Sequence, residues 1–174
     1  MRAAPSSLLV IGGARSGKSR YAQARAEALD ARLVFVATAQ AFDDEMTDRI
    51  TRHRADRGPR WITVEEPFDL PAAISTYSSE GSAVLVDCLT LWASNLLLAD
   101  HDPTIAAKSL TEAISSCRCP LILVANEVGL GIVPDNALAR RFRDYAGLIN
   151  QSVAAAVGEV VMIVAGIPMP IKMS

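Results

Sequence analysis

Residues 12 to 19 read Gly-Gly-Ala-Arg-Ser-Gly-Lys-Ser and fit the pattern G-x-x-x-x-G-K-[ST]. They follow the apolar run Leu8 to Ile11 and precede a helical pattern, residues 18–29. In this context the glycines turn backbone N–H groups toward one anion, and the helix N-terminus adds its positive end. Lys18 reaches the β and γ phosphates, and Ser19 offers a hydroxyl to a metal ion. The stretch predicts a nucleotide phosphate site, the alternative being a glycine-rich turn that binds nothing.

The rest of the chain alternates short apolar runs with longer helical patterns, which is typical of an α/β fold with a mostly parallel central sheet. Several runs are apolar throughout, as strands covered on both faces should be. The predicted strands are 8–11, 33–36, 61–64, 83–86, 121–125 and 160–165. The predicted helices are 18–29, 44–57, 67–76, 89–98, 104–116 and 136–157. We expect one domain over residues 1–174, with residues 1–7 as a flexible leader.

Composition excludes several classes of protein. Apolar residues make up 51% of the chain and charged residues 21%, which rules out an intrinsically disordered protein. A formal net charge of −2 without blocks of lysine or arginine argues against nucleic-acid binding. The longest apolar stretch, 160–171, contains a glycine and two prolines and is about half a membrane span. The three cysteines, Cys88, Cys117 and Cys119, are interpreted as reduced thiols of a cytoplasmic protein.

Polar residues follow the apolar runs at Thr38, Glu65, Asp87, Asn126 and Glu127. Ligands of open α/β sheets bind at the carboxyl ends of the strands, so these positions are candidates for one site. Asp87 closes an apolar strand, as the magnesium-binding carboxylate of P-loop proteins does. The alternative for Asp87 is a cap on the helix that follows it.

One histidine is placed on a candidate helix face. His53 continues an apolar stripe from Met46 and Ile50, and Arg49 and Arg57 lie one turn before and after it. Two neighbouring cations favour the neutral imidazole, which can attack phosphorus. Spacing alone favours a half-buried structural histidine, so the catalytic interpretation is a hypothesis at this point.

The phosphate loop leaves the class of protein open among kinases, ATPases, GTPase switches and transferases. A regulatory GTPase usually has an Asn-Lys-x-Asp segment after a strand. The comparable segment here is Asn126-Glu127-Val128-Gly129, which removes most of the support for a GTPase switch.

Taken together, the segments resemble the bifunctional cobalamin-biosynthesis family of adenosylcobinamide kinase / adenosylcobinamide-phosphate guanylyltransferase. The resemblance runs in order from Leu8 to Lys172. Its segments are the phosphate loop, Phe35–Ala39, Asp43–Met46, Arg49 with Ile50 and His53, Trp61–Glu65, Asp87–Thr90 and Asn126–Pro134.

The resemblance implies a P-loop NTPase fold related to RecA, usually assembled as a homotrimer. It implies that ATP or GTP phosphorylates adenosylcobinamide, and that GTP then donates GMP to the resulting phosphate through a GMP-histidine intermediate on His53. From the phosphate-loop motif and the strand that ends at Asp87, we expect Lys18 to assist catalysis and Ser19 and Asp87 to hold Mg²⁺. The implied nucleotide contacts are Gly12, Gly13, Ala14, Arg15, Ser16, Gly17, Lys18, Ser19, Ala37, Thr38, Ala39, Arg54, Ala55, Asp56, Arg57, Glu65 and Asp87.

Two alternatives stay open at this stage. The first is a simple P-loop kinase of a small hydroxyl substrate, in which His53 is structural. The second is a nucleotide-binding regulatory subunit that hydrolyses slowly and signals by changing conformation.

Overall fold

A computed structural model describes residues 6–40 and 58–173. The helix predicted at 44–57 and most of the predicted leader lie outside these ranges. The strands are β1 Ser7–Gly12, β2 Arg32–Ala37, β3 Trp61–Glu65, β4 Ser82–Asp87, β5 Leu121–Asn126, β6 Glu159–Val164 and β7 Ile167–Lys172. The helices are α1 Lys18–Glu27, α2 Leu70–Tyr77, α3 Leu89–Leu98, α4 Pro103–Ser116 and α5 Ala137–Ala156.

These strands form one seven-stranded sheet in the order β3-β2-β4-β5-β1-β6-β7. The pairs among β1 to β6 are all parallel, and β7 alone runs antiparallel, against β6. The predicted α/β class with a mostly parallel sheet is therefore confirmed.

Helices cover both faces of the sheet, which explains why the strands are apolar throughout. Leu9 of β1 belongs to a core shared with α2, α3, α4 and α5. Its neighbours Leu8 and Val10 belong to a second core with Ala22 and Ala26 of α1. Since successive side chains of a strand point to opposite faces, each strand needs apolar residues at consecutive positions.

The sequence interpretation missed β7. β6 and β7 form a hairpin in which Val164 pairs with Ile167, and the two turn residues, Ala165 and Gly166, have φ of 51° and 81°. Two positive φ angles match the type I′ turn, whose twist suits a hairpin. The prolines of β7 are tolerated because this strand lies at the edge of the sheet, where outward-facing N–H groups have no ladder partner to lose.

The apolar stripe predicted for the last helix is buried along most of its length. Tyr145, Ile149 and Val153 of α5 are buried, and Phe142 packs against their cluster. Leu138 departs from the prediction: it lies in the first turn of α5 and is 52% exposed.

Candidate nucleotide-binding site

The carboxyl ends of β1 to β6 lie at the same edge of the sheet because these strands are parallel. Ala37 pairs in register with Glu65 on one side and Asp87 on the other. Gly12, the first residue of the phosphate loop, pairs with Asn126 on one side and Ile163 on the other. The expectation that the polar strand ends share one edge is thus confirmed.

The phosphate loop makes a tight turn between β1 and α1. Gly17 precedes the helix with φ of 95°, a conformation that an L side chain rarely adopts. Arg15 also has a positive φ, 54°, and the N–H of Ser16 donates to the carbonyl of Gly13 across 3.3 Å. Helix α1 therefore begins at Lys18, directly after a short glycine-rich turn. A turn followed by a helix N-terminus is a favourable place for an anion to bind.

β6 and its hairpin turn brace this loop. A β-carbon on Gly12 would lie 2.6 Å from the Ser16 Oγ and 2.7 Å from the carbonyl oxygen of Ile163. The N–H of Gly166, in the hairpin turn, donates to the carbonyl of Ser16 across 2.9 Å. The unpredicted hairpin is thus a structural support of the predicted loop.

Opposite charges converge where the loop meets the end of β4. The Lys18 Nζ donates to the Gly13 carbonyl across 3.1 Å. The pKa of the Cys88 thiol is raised to about 11, mainly by burial and next by the negative charge of Asp87, while the positive charge of Lys18 acts in the opposite direction. Because both charges affect the pKa of the same thiol, the Lys18 ammonium and the Asp87 carboxylate both lie near Cys88.

Cys88, rather than Asp87, caps the helix that follows β4. Cys88 is the N-cap residue of α3, and its Sγ accepts a hydrogen bond from the Leu91 N–H across 3.4 Å. The capping alternative for Asp87 is therefore wrong. Asp87 is half-buried at the sheet edge, and its metal role stays a prediction.

Thr38 ties the ends of β2 and β4 together. Its hydroxyl donates to the Cys88 carbonyl across 2.7 Å and accepts from the Cys88 N–H across 2.9 Å. Its own carbonyl accepts from the Asn95 Nδ2 across 2.8 Å. Thr38 is fully buried, whereas its neighbours Ala37 and Ala39 are half-buried at the edge. A nucleotide contact of this segment stays a prediction.

Two buried side-chain oxygens lack a hydrogen-bond partner among the residues that the structure describes: the Ser16 Oγ and the Asn126 Oδ1. The Ser16 Oγ lies where a β-carbon on Gly12 would come within 2.6 Å of it, and Asn126 is the register partner of Gly12. The sequence marked Asn126 as a polar strand end without assigning it a role. Only the strand order places it beside the loop.

Several predicted site residues lie outside the described ranges: His53, Arg54, Ala55, Asp56 and Arg57. Their predicted roles in nucleotide binding and phosphorus chemistry therefore stay predictions. Glu65 is exposed at the end of β3, level with Ala37 and Asp87, and its predicted nucleotide contact likewise stays a prediction.

Within residues 6–40 and 58–173, the helices all fall short of the length and apolar character that a membrane crossing requires.

Comparison with known proteins gives a family match over most of the chain. Residues 8–171 match the family model described as cobinamide kinase / cobinamide phosphate guanyltransferase. The chain is 45% identical over 166 residues to the bifunctional adenosylcobalamin biosynthesis protein CobP of Pseudomonas aeruginosa, covering 94% of this chain and 96% of that protein. It is 42% identical over 180 residues to the bifunctional adenosylcobalamin biosynthesis protein CobU of Escherichia coli, covering 95% and 99%.

Solved structures with similar folds are P-loop proteins of low sequence identity. The RadB recombinase superposes with a TM-score of 0.55 at 13% identity, over 91% of this chain and 74% of that one. The P4 protein of bacteriophage phi6, solved with ADP, superposes with a TM-score of 0.54 at 13% identity, over 94% and 54%. These likenesses show the RecA-like P-loop fold.

Proposed function

The chain belongs to the cobinamide kinase / cobinamide phosphate guanyltransferase family, and we propose that one phosphate cradle, residues 12–19, serves both of its reactions. The protein acts in cobalamin biosynthesis. It phosphorylates the free hydroxyl of adenosylcobinamide and then transfers GMP from GTP to that phosphate, releasing pyrophosphate. The observation that carries the proposal is the convergence of the loop, Lys18 and Asp87 at one sheet edge.

The two reactions develop negative charge in the same place. In the kinase step, charge spreads over the γ phosphate while the bond to the β phosphate breaks. In the guanylyl transfer, pyrophosphate leaves and charge accumulates on the β phosphate side of the broken bond. Lys18 and the loop N–H groups are preorganised donors that stabilise either distribution. One cradle therefore suffices, and the position of the nucleophile decides which phosphorus is attacked.

The proposed nucleophile of the guanylyl transfer is His53. A ring nitrogen attacks the α phosphorus of GTP, the bond to the bridging oxygen of the β phosphate breaks, and pyrophosphate leaves. A phosphate oxygen of adenosylcobinamide phosphate then attacks the same phosphorus, the P–N bond breaks, and the free imidazole returns. The covalent intermediate divides one difficult displacement into two easier ones. The helix predicted at residues 44–57 would place Arg49 and Arg57 one turn from His53, and two neighbouring cations favour the neutral imidazole that this attack requires.

The proposed metal is Mg²⁺, held by the Ser19 hydroxyl and the Asp87 carboxylate. The donor set fits the ion, because both groups are hard oxygen ligands and Asp87 is not used as a helix cap. When bound, the ion neutralises part of the charge on the nucleotide phosphates.

We propose a homotrimer, as the resemblance implies, with the β6–β7 hairpin buried between copies. The side chains of Ile167, Met169 and Ile171 on β7 are between 52% and 66% exposed, and Met173 follows them at 73%. Such a run of exposed apolar residues is typical of a surface that another chain covers. The cytoplasm is the proposed compartment, because ATP and GTP are available there.

Labelled GTP tests the covalent step. We expect incubation with magnesium and GTP labelled at the α phosphate to leave label on the denatured chain. The bond should be acid-labile and base-stable, as a phosphoramidate is. His53→Ala should abolish the label, and His101→Ala, the matched control at the only other histidine of the sequence, should retain it. Label that persists in His53→Ala would refute the assignment, and an unlabelled but kinase-active native protein would favour the simple kinase.

A further inference from the structure

Two cysteines in the connection between α4 and β5 form a close pair of thiols that neither proposed reaction uses. Cys117 directly follows α4, and Cys119 lies two residues before β5. Their sulfur atoms are 3.9 Å apart, and both cysteines are reduced. A disulfide needs the sulfur atoms to approach by about 1.9 Å more, which rotation of the two side chains can supply.

The backbone around the pair is fixed to the neighbouring elements. The Arg118 N–H donates to the Ser78 Oγ, directly after α2, across 3.2 Å. The Pro120 carbonyl accepts from the Val84 N–H of β4 across 2.9 Å. Because these bonds flank Cys119 on both sides, the backbone keeps the two cysteine side chains together without a covalent link.

The two thiols differ in exposure and in ionisation. Cys117 is half-buried, whereas Cys119 is 2% exposed and belongs to the core shared with α2 to α5. The pKa of Cys117 is lowered to about 6, mainly because the Cys119 thiol donates a hydrogen bond to it, and the Ser78 hydroxyl contributes as well. A sulfur that attacks an oxidant must be ionised and accessible, so Cys117 is the member of the pair that reacts first.

We propose that Cys117 and Cys119 are a redox-active pair that a hydroperoxide converts to a disulfide. The Cys117 thiolate attacks one oxygen of hydrogen peroxide, an S–O bond forms and the O–O bond breaks. The hydroxide that leaves takes up the proton that Cys117 had released, and Cys117 becomes a sulfenic acid.

The second step forms the disulfide. The Cys119 sulfur attacks the sulfenic sulfur of Cys117, an S–S bond forms, and the S–O bond breaks. The oxygen leaves as water with the proton of Cys119. In sum, two thiols and one hydrogen peroxide give one disulfide and two molecules of water, so the peroxide is the only oxidant that the reaction needs.

The first step also prepares Cys119 for the second. In the reduced pair, the pKa of Cys119 is raised by its hydrogen bond to Cys117, by burial and by the negative charge of Cys117. A neutral sulfenic acid removes that charge and is a weaker acceptor than a thiolate. Cys119 is therefore kept protonated while Cys117 reacts, and it ionises more readily once the sulfenic acid has formed.

The pair lies at the opposite end of β5 from the phosphate loop. Leu121, the first residue of β5, pairs with Ser7 at the start of β1, and Asn126, the last residue, pairs with Gly12. The two ends of β5 are about 16 Å apart. We therefore expect oxidation of the pair to leave both nucleotide reactions unchanged, and the inference does not depend on the proposed function.

A tryptic digest under non-reducing conditions tests the proposal. The native protein is treated with hydrogen peroxide at neutral pH, and the remaining thiols are blocked with iodoacetamide. Trypsin cleaves after Arg118, so a disulfide would join the peptides 109–118 and 119–140. Mass spectrometry should show the joined pair, lighter than the sum of the two peptides by two hydrogen atoms, and dithiothreitol should separate it.

Three variants assign the roles within the pair. Cys119→Ser removes the second thiol and keeps a hydroxyl that can donate to Cys117, so dimedone, which labels sulfenic acids, should label Cys117. Cys117→Ser should give neither label nor joined peptides, because Cys119 is buried. Cys88→Ser is the matched control, since it keeps the pair and should give joined peptides as the native protein does.

The outcomes separate this inference from the proposed function. Joined peptides in the native protein and in Cys88→Ser, with dimedone label on Cys117 in Cys119→Ser, support the redox pair. Sulfinic acid on Cys117 without joined peptides, a disulfide only between two copies of the chain, or no oxidation at all would overturn it. None of these readouts requires a nucleotide, so a failure of the redox pair would leave the proposed function standing.

Discussion

Gly12 lies so close to the backbone of Ile163 that a β-carbon at position 12 would be 2.7 Å from the Ile163 carbonyl oxygen. Both residues are in regular strands, so this approach comes from the pairing of β1 with β6 and not from the loop. The first glycine of the phosphate motif is therefore required by the sheet as well as by the phosphates.

Gly12→Ala should destabilise the protein by about 1–3 kcal/mol, because the new methyl group meets a backbone oxygen that cannot move without disturbing β6. Gly13→Ala is the matched control, since a β-carbon there has nothing within 4 Å. Thermal or urea unfolding without nucleotide measures the difference. Equal stability of the two variants would contradict the close packing of β1 on β6.

The exposed hairpin strand should control assembly. Replacing Ile167 or Met169 with aspartate places a charge in the apolar surface that we propose is buried between copies. Sedimentation velocity should then show smaller species than the native protein. Ile105→Asp is the control, because Ile105 is an isoleucine with the same exposure, 67% against 66%, on α4. If the native protein sediments as a monomer, or if Ile105→Asp alone dissociates it, the hairpin is not the interface.

Cys117 should be the most readily alkylated thiol at neutral pH. A hydrogen bond from Cys119, 3.9 Å away sulfur to sulfur, lowers the pKa of Cys117 from 9.0 to about 6, while the pKa values of Cys119 and Cys88 are raised. A lowered pKa favours the thiolate at every pH above it. The iodoacetamide rate at Cys117, followed by mass spectrometry, should therefore rise up to about pH 6 and then level off.

Cys119→Ala tests the cause of that shift. Without the Cys119 donor, the midpoint of the Cys117 alkylation profile should move upward toward the ordinary value of 9.0. A profile that is the same in both proteins would show that Cys119 does not set the reactivity of Cys117.

Much of the fold could be predicted because its signals are local. Each parallel strand is an apolar run, and α3 occupies the predicted residues 89–98. β7 was missed because its sequence, Ile-Pro-Met-Pro-Ile-Lys, has the composition of a loop. Its strand conformation depends on β6 beside it and on a free outer edge, neither of which is encoded in the segment itself.

The candidate site divides in the same way. The residues of the phosphate loop are consecutive in the sequence, so their types and spacing were sufficient to predict it. The capping alternative for Asp87 failed because a cap is decided by backbone geometry at the helix start, and that geometry presents the sulfur of Cys88 to the Leu91 N–H. Thr38 was likewise a candidate site residue because it is polar and follows a strand. In the structure its side chain is buried and hydrogen-bonded to the backbone of Cys88.

The amino-acid sequence by itself determined the phosphate loop, the parallel α/β class and the family, because each depends on residues that are consecutive or in a recurring order. The tertiary structure alone decided that Asn126 borders Gly12, that the hairpin turn holds Ser16, and that Thr38 joins Cys88. The physical reason is that these contacts depend on the order β4-β5-β1-β6 across the sheet. That order is set by the packing of the whole core, and no short segment of the chain specifies it.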